Sequence, residues 1–305
     1  WHLGEARALL AALAQSEPDA PETRFFVAKL AFYEGRYEDA KTGLGALQDT
    51  SMRELVDELL PLVEKTLTAT RGFAHKEFPH FVIYYPPGKD EVLVDVAADA
   101  LESTYVTIGN DLGHLPDEKI RVEILPRAAS LAQLSTLTEV EIVTSGTIAL
   151  CKYNKLMVVS PRALLFGYPW LDTMAHELVH YVVAQATRDG APIWFHEGVA
   201  KFEETRWRAR PGQPGLSAEY RHALGRALGT GNLIGFDRMH PSMAKLPSQA
   251  AAATAFAEVY TMIAYVHRET GYEGLRAVLA HIKAGKSARR AVAEVLRKPW
   301  EEVEA

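Results

Sequence analysis

The sequence predicts an α+β protein in which a helical N-terminal region precedes a small mixed β-sheet and a helical C-terminal lobe. Three observations favour this class. Apolar residues recur at helical spacing over residues 1–72, short apolar runs typical of strands follow between 81 and 159, and helical spacing returns from Asp172 onward. With 305 residues and 48% hydrophobic content, the chain can form a substantial core in each of two domains, which we predict at 1–72 and 73–305.

The N-terminal region is predicted to be an array of helical hairpins. The run from Ala31 to Ala40 resembles the turn between the two helices of a tetratricopeptide repeat, where a small residue of the second helix packs against the first. Ala6 has similar neighbours and lies 34 residues before Ala40, which is the period of that repeat. Such repeats bind proteins, so a protein partner is expected here. The alternative is an ordinary helical extension that covers the rest of the chain.

The middle of the chain predicts a strand, helix, strand unit followed by a β-hairpin. Phe81–Tyr85 and Ile120–Leu125 have the composition of strands, and residues 92–108 between them have helical spacing. Two further apolar runs, at 142–150 and Lys155–Val159, are separated by Tyr153-Asn154, which is a candidate turn. We expect these elements to form the small mixed sheet.

The composition excludes several classes of protein. A formal net charge of −6 gives no bulk attraction to nucleic acid or to an anionic membrane, so no nucleic-acid partner is expected. The apolar stretches fall far below the roughly 20 residues that span a bilayer, so no membrane span is expected. The single cysteine, Cys151, excludes an intramolecular disulfide and a zinc site built from several thiolates. We expect a soluble protein, cytoplasmic or exported with its leader removed, because the sequence starts at Trp1 without a leader.

The strongest functional signal is the pentad His-Glu-Leu-Val-His at residues 176–180. Two histidines four residues apart project from one face of a helix, where both imidazoles can bind one zinc ion. The intervening Glu177 then lies where it can accept a proton from zinc-bound water. His176 and His180 are therefore candidate ligands of a single Zn²⁺.

A catalytic zinc ion takes three protein ligands and leaves one position for water, so a third ligand is needed. Glu197 is the best candidate, since it lies near the start of the next amphipathic helix. A loop through Asp189-Gly190 would fold that helix back towards the first. Glu204 lies two turns further along the same face, where it could accept a hydrogen bond from a ligand imidazole and fix its tautomer.

The pentad, followed by Trp-Phe-His-Glu-Gly-Val-Ala-Lys-Phe-Glu-Glu at 194–204, resembles the gluzincin zinc metallopeptidases. The closest resemblance is to the peptidase MA-like branch, which often occurs beside tetratricopeptide repeats. It implies a thermolysin-like domain from about Phe73 onward. It also implies that His176, His180 and Glu197 bind one zinc ion, that Glu177 is the general base, and that the substrate is a peptide or protein.

Gluzincins bind substrate along an edge strand that precedes the metal helix, and the resemblance assigns this role to Gly146, Thr147, Ile148 and Ala149. An extended peptide would pair with this segment as a further strand. Related aminopeptidases carry a glutamate at the position of Ala149, where it holds the free amine of the substrate. The resemblance therefore favours an endopeptidase over an aminopeptidase. The alternative interpretation of the segment is an ordinary core strand.

The resemblance further implies a tyrosine that stabilises the tetrahedral oxyanion. Tyr260, in the helical run that begins near Val259, is our first choice, with Tyr265 and His267 as alternatives. A phenol hydroxyl aimed at developing negative charge lowers the barrier of the reaction. A buried tyrosine whose hydroxyl is satisfied within the core is the competing interpretation.

These residues together predict a zinc-dependent metallopeptidase with Glu177 as general base. A second class stays open, in which a restricted or inactive peptidase-like body is a scaffold and the helical repeats bind a partner. A third possibility keeps the metal and changes the bond, to a nonpeptide amide or an ester.

Overall fold

The computed structural model describes residues 2–208 and 215–304, and over these ranges the chain forms thirteen α-helices and five β-strands. The helices are α1 Leu3–Ser16, α2 Pro21–Tyr33, α3 Tyr37–Gly45, α4 Arg53–Thr70, α5 Val92–Leu112, α6 Ala129–Leu134, α7 Glu139–Ser145, α8 Trp170–Thr187, α9 Ile193–Glu203, α10 Ala218–Thr230, α11 Gln249–Lys283, α12 Ala288–Leu296 and α13 Trp300–Glu304. The strands are β1 Ala74–Glu77, β2 Phe81–Tyr85, β3 Ile120–Leu125, β4 Ala149–Lys152 and β5 Lys155–Val159.

Four helices form the N-terminal region. Pro21 opens α2, where its fixed φ suits the first helical turn. α2 and α3 approach closely at Gly43, where an added Cβ would lie only 2.8 Å from the Cβ of Ala28. Phe32 and Leu44 are buried between α2, α3 and α4. The region is helical, whereas its tetratricopeptide-like arrangement stays a prediction.

The five strands form one mixed sheet in the order β1-β2-β3-β5-β4. β2, β3 and β5 are parallel, and the edge strands β1 and β4 run antiparallel to their neighbours. β2 and β3 are joined through α5, the kind of helical crossover that parallel strands need. The hairpin of β4 and β5 turns at Tyr153 and Asn154, whose φ values of 54° and 59° suit a two-residue turn. The predicted mixed sheet is confirmed.

Helices cover both faces of the sheet. Successive side chains of a strand point to opposite faces, and apolar side chains occur on both. Ile83, Val122 and Leu156 point to one face, where they share a core with α5, α8, α9 and α11. Leu125 and Met157 point to the other face, where they pack against α6 and α7. α8 also contacts both β4 and β5, so it lies beneath the edge of the sheet that ends in β4.

A buried polar cluster joins the N-terminal helices to the sheet. Glu123 on β3 and Lys155 on β5 are fully buried, and Lys155 Nζ lies 3.1 Å from Glu123 Oε2. The hydroxyl of Tyr37, from α3, donates to Glu123 at 2.6 Å and accepts from Lys155 at 2.5 Å. Arg121 Nε donates to Glu123 at 2.7 Å. Burial raises the pKa of Glu123, but the charges of Lys155 and Arg121 outweigh it and hold the value at about 2.

The elements around β4 differ from the prediction. Residues 142–145, at the start of the predicted run, belong to α7 rather than to a strand, because Thr138 and Glu141 form a capping box that starts a helix there. Gly146 ends α7 with φ 73°, and β4 begins only at Ala149. Of the four predicted edge-strand residues, Ala149 alone therefore lies in the strand. Gly146, Thr147 and Ile148 lead into it.

β1 has no counterpart among the predicted strands. Its four residues are Ala74-His75-Lys76-Glu77, and the last three are polar with exposed or half-exposed side chains. Such a segment has no apolar alternation by which a strand is recognised. It is held by antiparallel pairing with β2.

The C-terminal lobe consists of packed helices. α9 contacts both α8 and α11, and α11 also contacts α8, α10 and α12. α11 is interrupted at Gly271, where φ is 64°. α8 and α9 are therefore enclosed between the sheet and α11.

Two predictions concern the chain as a whole. Across residues 2–208 and 215–304, none of the helices has the length and apolar character required to cross a bilayer. The division into domains at 1–72 and 73–305 stays a prediction.

Candidate metal centre

The two histidines of the pentad lie on α8, which is buried along most of its length. Met174, Leu178 and Val182 pack into the core and so fix the rotation of the helix about its axis. His176 and His180, one turn apart, lie beside this buried stripe with 12% and 15% of their side chains exposed. Their ring centroids are 4.8 Å apart. α8 thus presents both imidazoles to one partly exposed face.

Glu197 lies on α9, in the second turn of the helix. The connection from α8 turns through Arg188 and Asp189, whose φ values are 52° and 58°, and it brings α9 back against α8. Glu197 Oε2 lies 3.3 Å from His176 Nε2 and 3.4 Å from His180 Nε2. One ligand atom from each of the three residues falls within 4.8 Å of the others. The structure therefore brings the three predicted ligands together.

The donor set and its electrostatics fit a zinc ion. Two imidazole nitrogens and one carboxylate oxygen form a ligand set of catalytic zinc, which leaves one position of the metal for a further ligand. Burial raises the pKa of Glu197, but the neighbouring His180 and His176 hold it well below its usual range. Burial lowers the pKa of His176, but hydrogen bonds to Glu197 and Glu204 raise it to about 10. A bound metal ion would replace the protons shared between Glu197 and the Nε2 atoms of the two histidines.

Glu177 lies between the candidate metal ligands and the edge strand β4. Its side chain is buried, and burial raises its pKa in spite of the nearby His180 and His176. The backbone N–H of Cys151 in β4 is directed at its carboxylate, which lowers the pKa in part. A carboxylate whose pKa is raised is a stronger base, which suits it to accept a proton in catalysis.

β4 has a row of backbone groups along its free edge. The carbonyl of Ile148 accepts a hydrogen bond of 2.9 Å from the N–H of Val159, so that pair is hydrogen-bonded and the next pair, Ala149 with Val158, is not. The N–H and C=O of Ala149 consequently point away from β5, as do those of Cys151. β4 is the last strand in the order of the described sheet, so these groups lie at its edge.

Glu204 directly follows α9 and contacts His176, a candidate metal ligand. Its Oε2 lies 3.1 Å from Nδ1 of His176, and because a carboxylate only accepts, Nδ1 carries the proton. The Nε2 of His176 is then the nitrogen left to face Glu197. Lys201, on α9, donates to the other oxygen of Glu204 at 2.6 Å. Sequence analysis missed Lys201, since a lysine on an amphipathic helix has no distinguishing pattern.

Tyr260 lies on α11, and its ring packs 5.9 Å from that of Phe202 on α9. Burial, and then the charge of Glu204, raises the pKa of its hydroxyl. Of the two alternatives, Tyr265 accepts a hydrogen bond of 2.6 Å from Lys298. The ring of His267 packs 4.4 Å from that of Tyr272. Tyr260 is thus the member of this group whose electrostatic neighbour, Glu204, contacts a candidate metal ligand.

Gly198, next to Glu197, allows α9 to approach α11. A Cβ at this position would lie 2.8 Å from the carbonyl oxygen of Val259 and 2.7 Å from Cγ1 of Ile263. Backbone atoms cannot move aside without shifting a helix, so the close approach requires glycine. This contact explains why a glycine follows the carboxylate in the sequence of α9.

We expect Gly198→Ala to lower the free energy of unfolding by about 1–3 kcal/mol, because the new methyl group must separate α9 from α11. The same shift moves Glu197, so zinc affinity should fall as well. Chemical denaturation and a zinc titration measure the two effects. Gly225→Ala on α10 is the matched control: no atom lies within 4 Å of its Cβ, so stability should stay equal or rise by about 0.5–1 kcal/mol. Equal losses in both variants would contradict the packing argument.

The fold and the site define a class of protein. Residues 100–298, nearly two thirds of the chain, match the family model of the Peptidase MA superfamily. The matched range includes His176, Glu177, His180 and Glu197. The chain therefore belongs to the Peptidase MA superfamily, a superfamily of metallopeptidases that typically use zinc. A comparison with curated proteins gives no match.

Proposed function

We propose that the protein is a zinc-dependent endopeptidase in which His176, His180 and Glu197 hold the metal ion and Glu177 is the general base. The observation that carries this proposal is the convergence of the three ligand atoms within 4.8 Å beside a buried carboxylate. When bound, zinc would polarise the scissile carbonyl and lower the pKa of a water molecule towards about 7. Membership of the Peptidase MA superfamily supports the same reaction class.

The residues around the centre divide the proton transfers between them. Glu177 takes a proton from the attacking water and later delivers it to the amine of the leaving group. Its burial and its position between the histidines and β4 support this role. Tyr260 donates a hydrogen bond to the oxyanion, a role supported by its proximity to Glu204.

The substrate binds along β4 as an additional strand. Ala149 offers its backbone N–H and C=O on the free edge and Cys151 its C=O, and an extended peptide pairs with these groups in register. Gly146, Thr147 and Ile148 line the approach to this edge. Ala149 has no carboxylate with which to bind a free amine, which favours cleavage within a chain over removal of the first residue. The complete ligand set and general base do not favour an inactive scaffold.

The experiment that tests the function combines metal analysis with a peptide-library digest. The purified protein should contain or take up about one zinc per chain and cleave a subset of peptides at internal bonds. His176→Ala should lose both properties, and His222→Ala, which removes an exposed histidine of α10, should lose neither. A wild-type protein that takes up no zinc would exclude the proposal. Release of single N-terminal residues would exclude the endopeptidase assignment.

A further inference from the structure

We propose that Lys201 is a positioning residue for the metal centre: it holds the carboxylate of Glu204 in the orientation that binds Nδ1 of His176. This inference rests on the proposed function. Lys201 lies four positions after Glu197 and three before Glu204. The turn of α9 that follows Glu197 therefore also carries Lys201, which orients His176 through Glu204.

The two oxygens of Glu204 have different partners. Oε1 accepts from Lys201 Nζ at 2.6 Å, and Oε2 accepts from His176 Nδ1 at 3.1 Å. The first distance corresponds to a strong charge-assisted hydrogen bond. A carboxylate held at both oxygens cannot rotate about its last bond without losing a partner. The orientation of the His176 ring is therefore linked to the ammonium of Lys201 through a single carboxylate.

Burial makes this pair different from a surface ion pair. Lys201 and Glu204 expose only 14% and 18% of their side chains, so water cannot easily replace either partner. An exposed pair of this kind has little effect on structure, whereas a largely buried one leaves an uncompensated charge when either member is removed.

Two aromatic rings hold the ammonium in place. Lys201 Nζ lies 4.2 Å from the ring centroid of Tyr220 on α10 and 5.9 Å from that of Phe256 on α11. A cation is attracted to the face of an aromatic ring. The ring of Phe256 also packs 6.1 Å from that of His176. The same aromatic side chain thus contacts the metal ligand and the lysine that acts on it through Glu204.

The sign of the effect follows from charge balance. A lone cation near a dication would weaken metal binding by repulsion, but Lys201 is paired with Glu204 and the two charges cancel. Replacing Lys201 by methionine removes the hydrogen bond to Oε1 and frees the carboxylate to turn away from Nδ1. His176 then loses the partner that fixes its tautomer and ring orientation, and zinc affinity falls.

Zinc affinities measured by chelator competition test the inference. Glu204→Gln should weaken zinc binding by about 10–100-fold, the usual loss for the group that orients a ligand histidine, and Lys201→Met by about tenfold. Lys201→Arg, which keeps the charge and a donor, should recover most of the affinity. The double variant should bind zinc about as weakly as Glu204→Gln alone, because Lys201 acts only through Glu204.

Lys119→Met is the control, since it removes a lysine that directly precedes β3 and lies outside the metal centre, where its Nζ is 3.0 Å from Glu77 Oε2. Its zinc affinity should equal that of the wild type. Lys201→Gln provides a second substitution should Lys201→Met fail to fold, and its affinity should fall between those of the wild type and Glu204→Gln. Cobalt-substituted protein gives a readout that general destabilisation does not change: the visible bands should shift in Lys201→Met in the same direction as in Glu204→Gln.

The outcomes separate the inference from the proposed function. Wild-type affinity in folded Lys201→Met or Lys201→Gln would overturn the role of Lys201 while the zinc enzyme stands. So would a double variant that binds zinc more weakly than Glu204→Gln by the full loss seen in Lys201→Met. A wild-type protein that takes up no zinc would overturn both.

Discussion

Replacing Glu177 by glutamine is expected to reduce peptide cleavage by a factor of about 10²–10⁴ while zinc stays bound at about one ion per chain. Glutamine has nearly the same shape as glutamate but cannot accept the proton of the attacking water. Glu177 is not among the three ligands that converge in the site, so its loss leaves the metal donors intact. The measurements are turnover of a peptide found by the library digest and zinc content by elemental analysis.

The control for this prediction is Glu219→Gln, an exposed carboxylate in the first turn of α10. It should retain wild-type turnover and zinc content. Undiminished cleavage by Glu177→Gln would rule out the general base assigned here. Loss of zinc together with activity would instead mean that Glu177 supports the metal site itself.

The parts of the fold that the sequence predicts are those set by local spacing. The bounds of β2 and β3 agree with the apolar runs at Phe81–Tyr85 and Ile120–Leu125. In each run the apolar residues alternate or cluster within a few positions, a pattern that is visible in the sequence alone. The two histidines share a helix face because they are four residues apart. The position of Glu197 opposite these histidines depends on one further feature, the turn through Arg188 and Asp189, where positive φ values reverse the chain.

The parts that the sequence does not predict depend on partners distant in the chain or on caps. α7 replaces a predicted strand because Thr138 and Glu141 satisfy the first turn of a helix, and a capping box outweighs β-branched composition. Lys201 is indistinguishable from a solvated lysine until α10 and α11 bring Tyr220 and Phe256 against it. The Tyr37 hydroxyl meets a carboxylate 86 residues away, a contact that no local pattern indicates.

That contact leads to the second large prediction, a loss of about 3–5 kcal/mol of stability in Glu123→Gln. The substitution leaves the buried ammonium of Lys155 without its anion, and the cost of an uncompensated buried charge exceeds that of any single lost surface contact. Because Tyr37 reaches the cluster from α3, the N-terminal helices should loosen first. Denaturant unfolding measures the stability, and limited proteolysis within residues 1–72 measures the loosening.

The pH dependence of this loss identifies the charge as its cause. The pKa of Glu123 is about 2 in the folded protein and 4.5 by reference when exposed, so its contribution is complete above pH 4.5 and is lost as the pH falls towards 2. The difference in stability between wild type and Glu123→Gln should therefore be about 1–2 kcal/mol smaller at pH 3.5 than at pH 7. Glu77→Gln, which breaks only the exposed pair with Lys119, should leave stability nearly unchanged at both pH values. A difference that stays constant with pH would attribute the loss to packing, and the buried ion cluster would not be what joins α3 to the sheet.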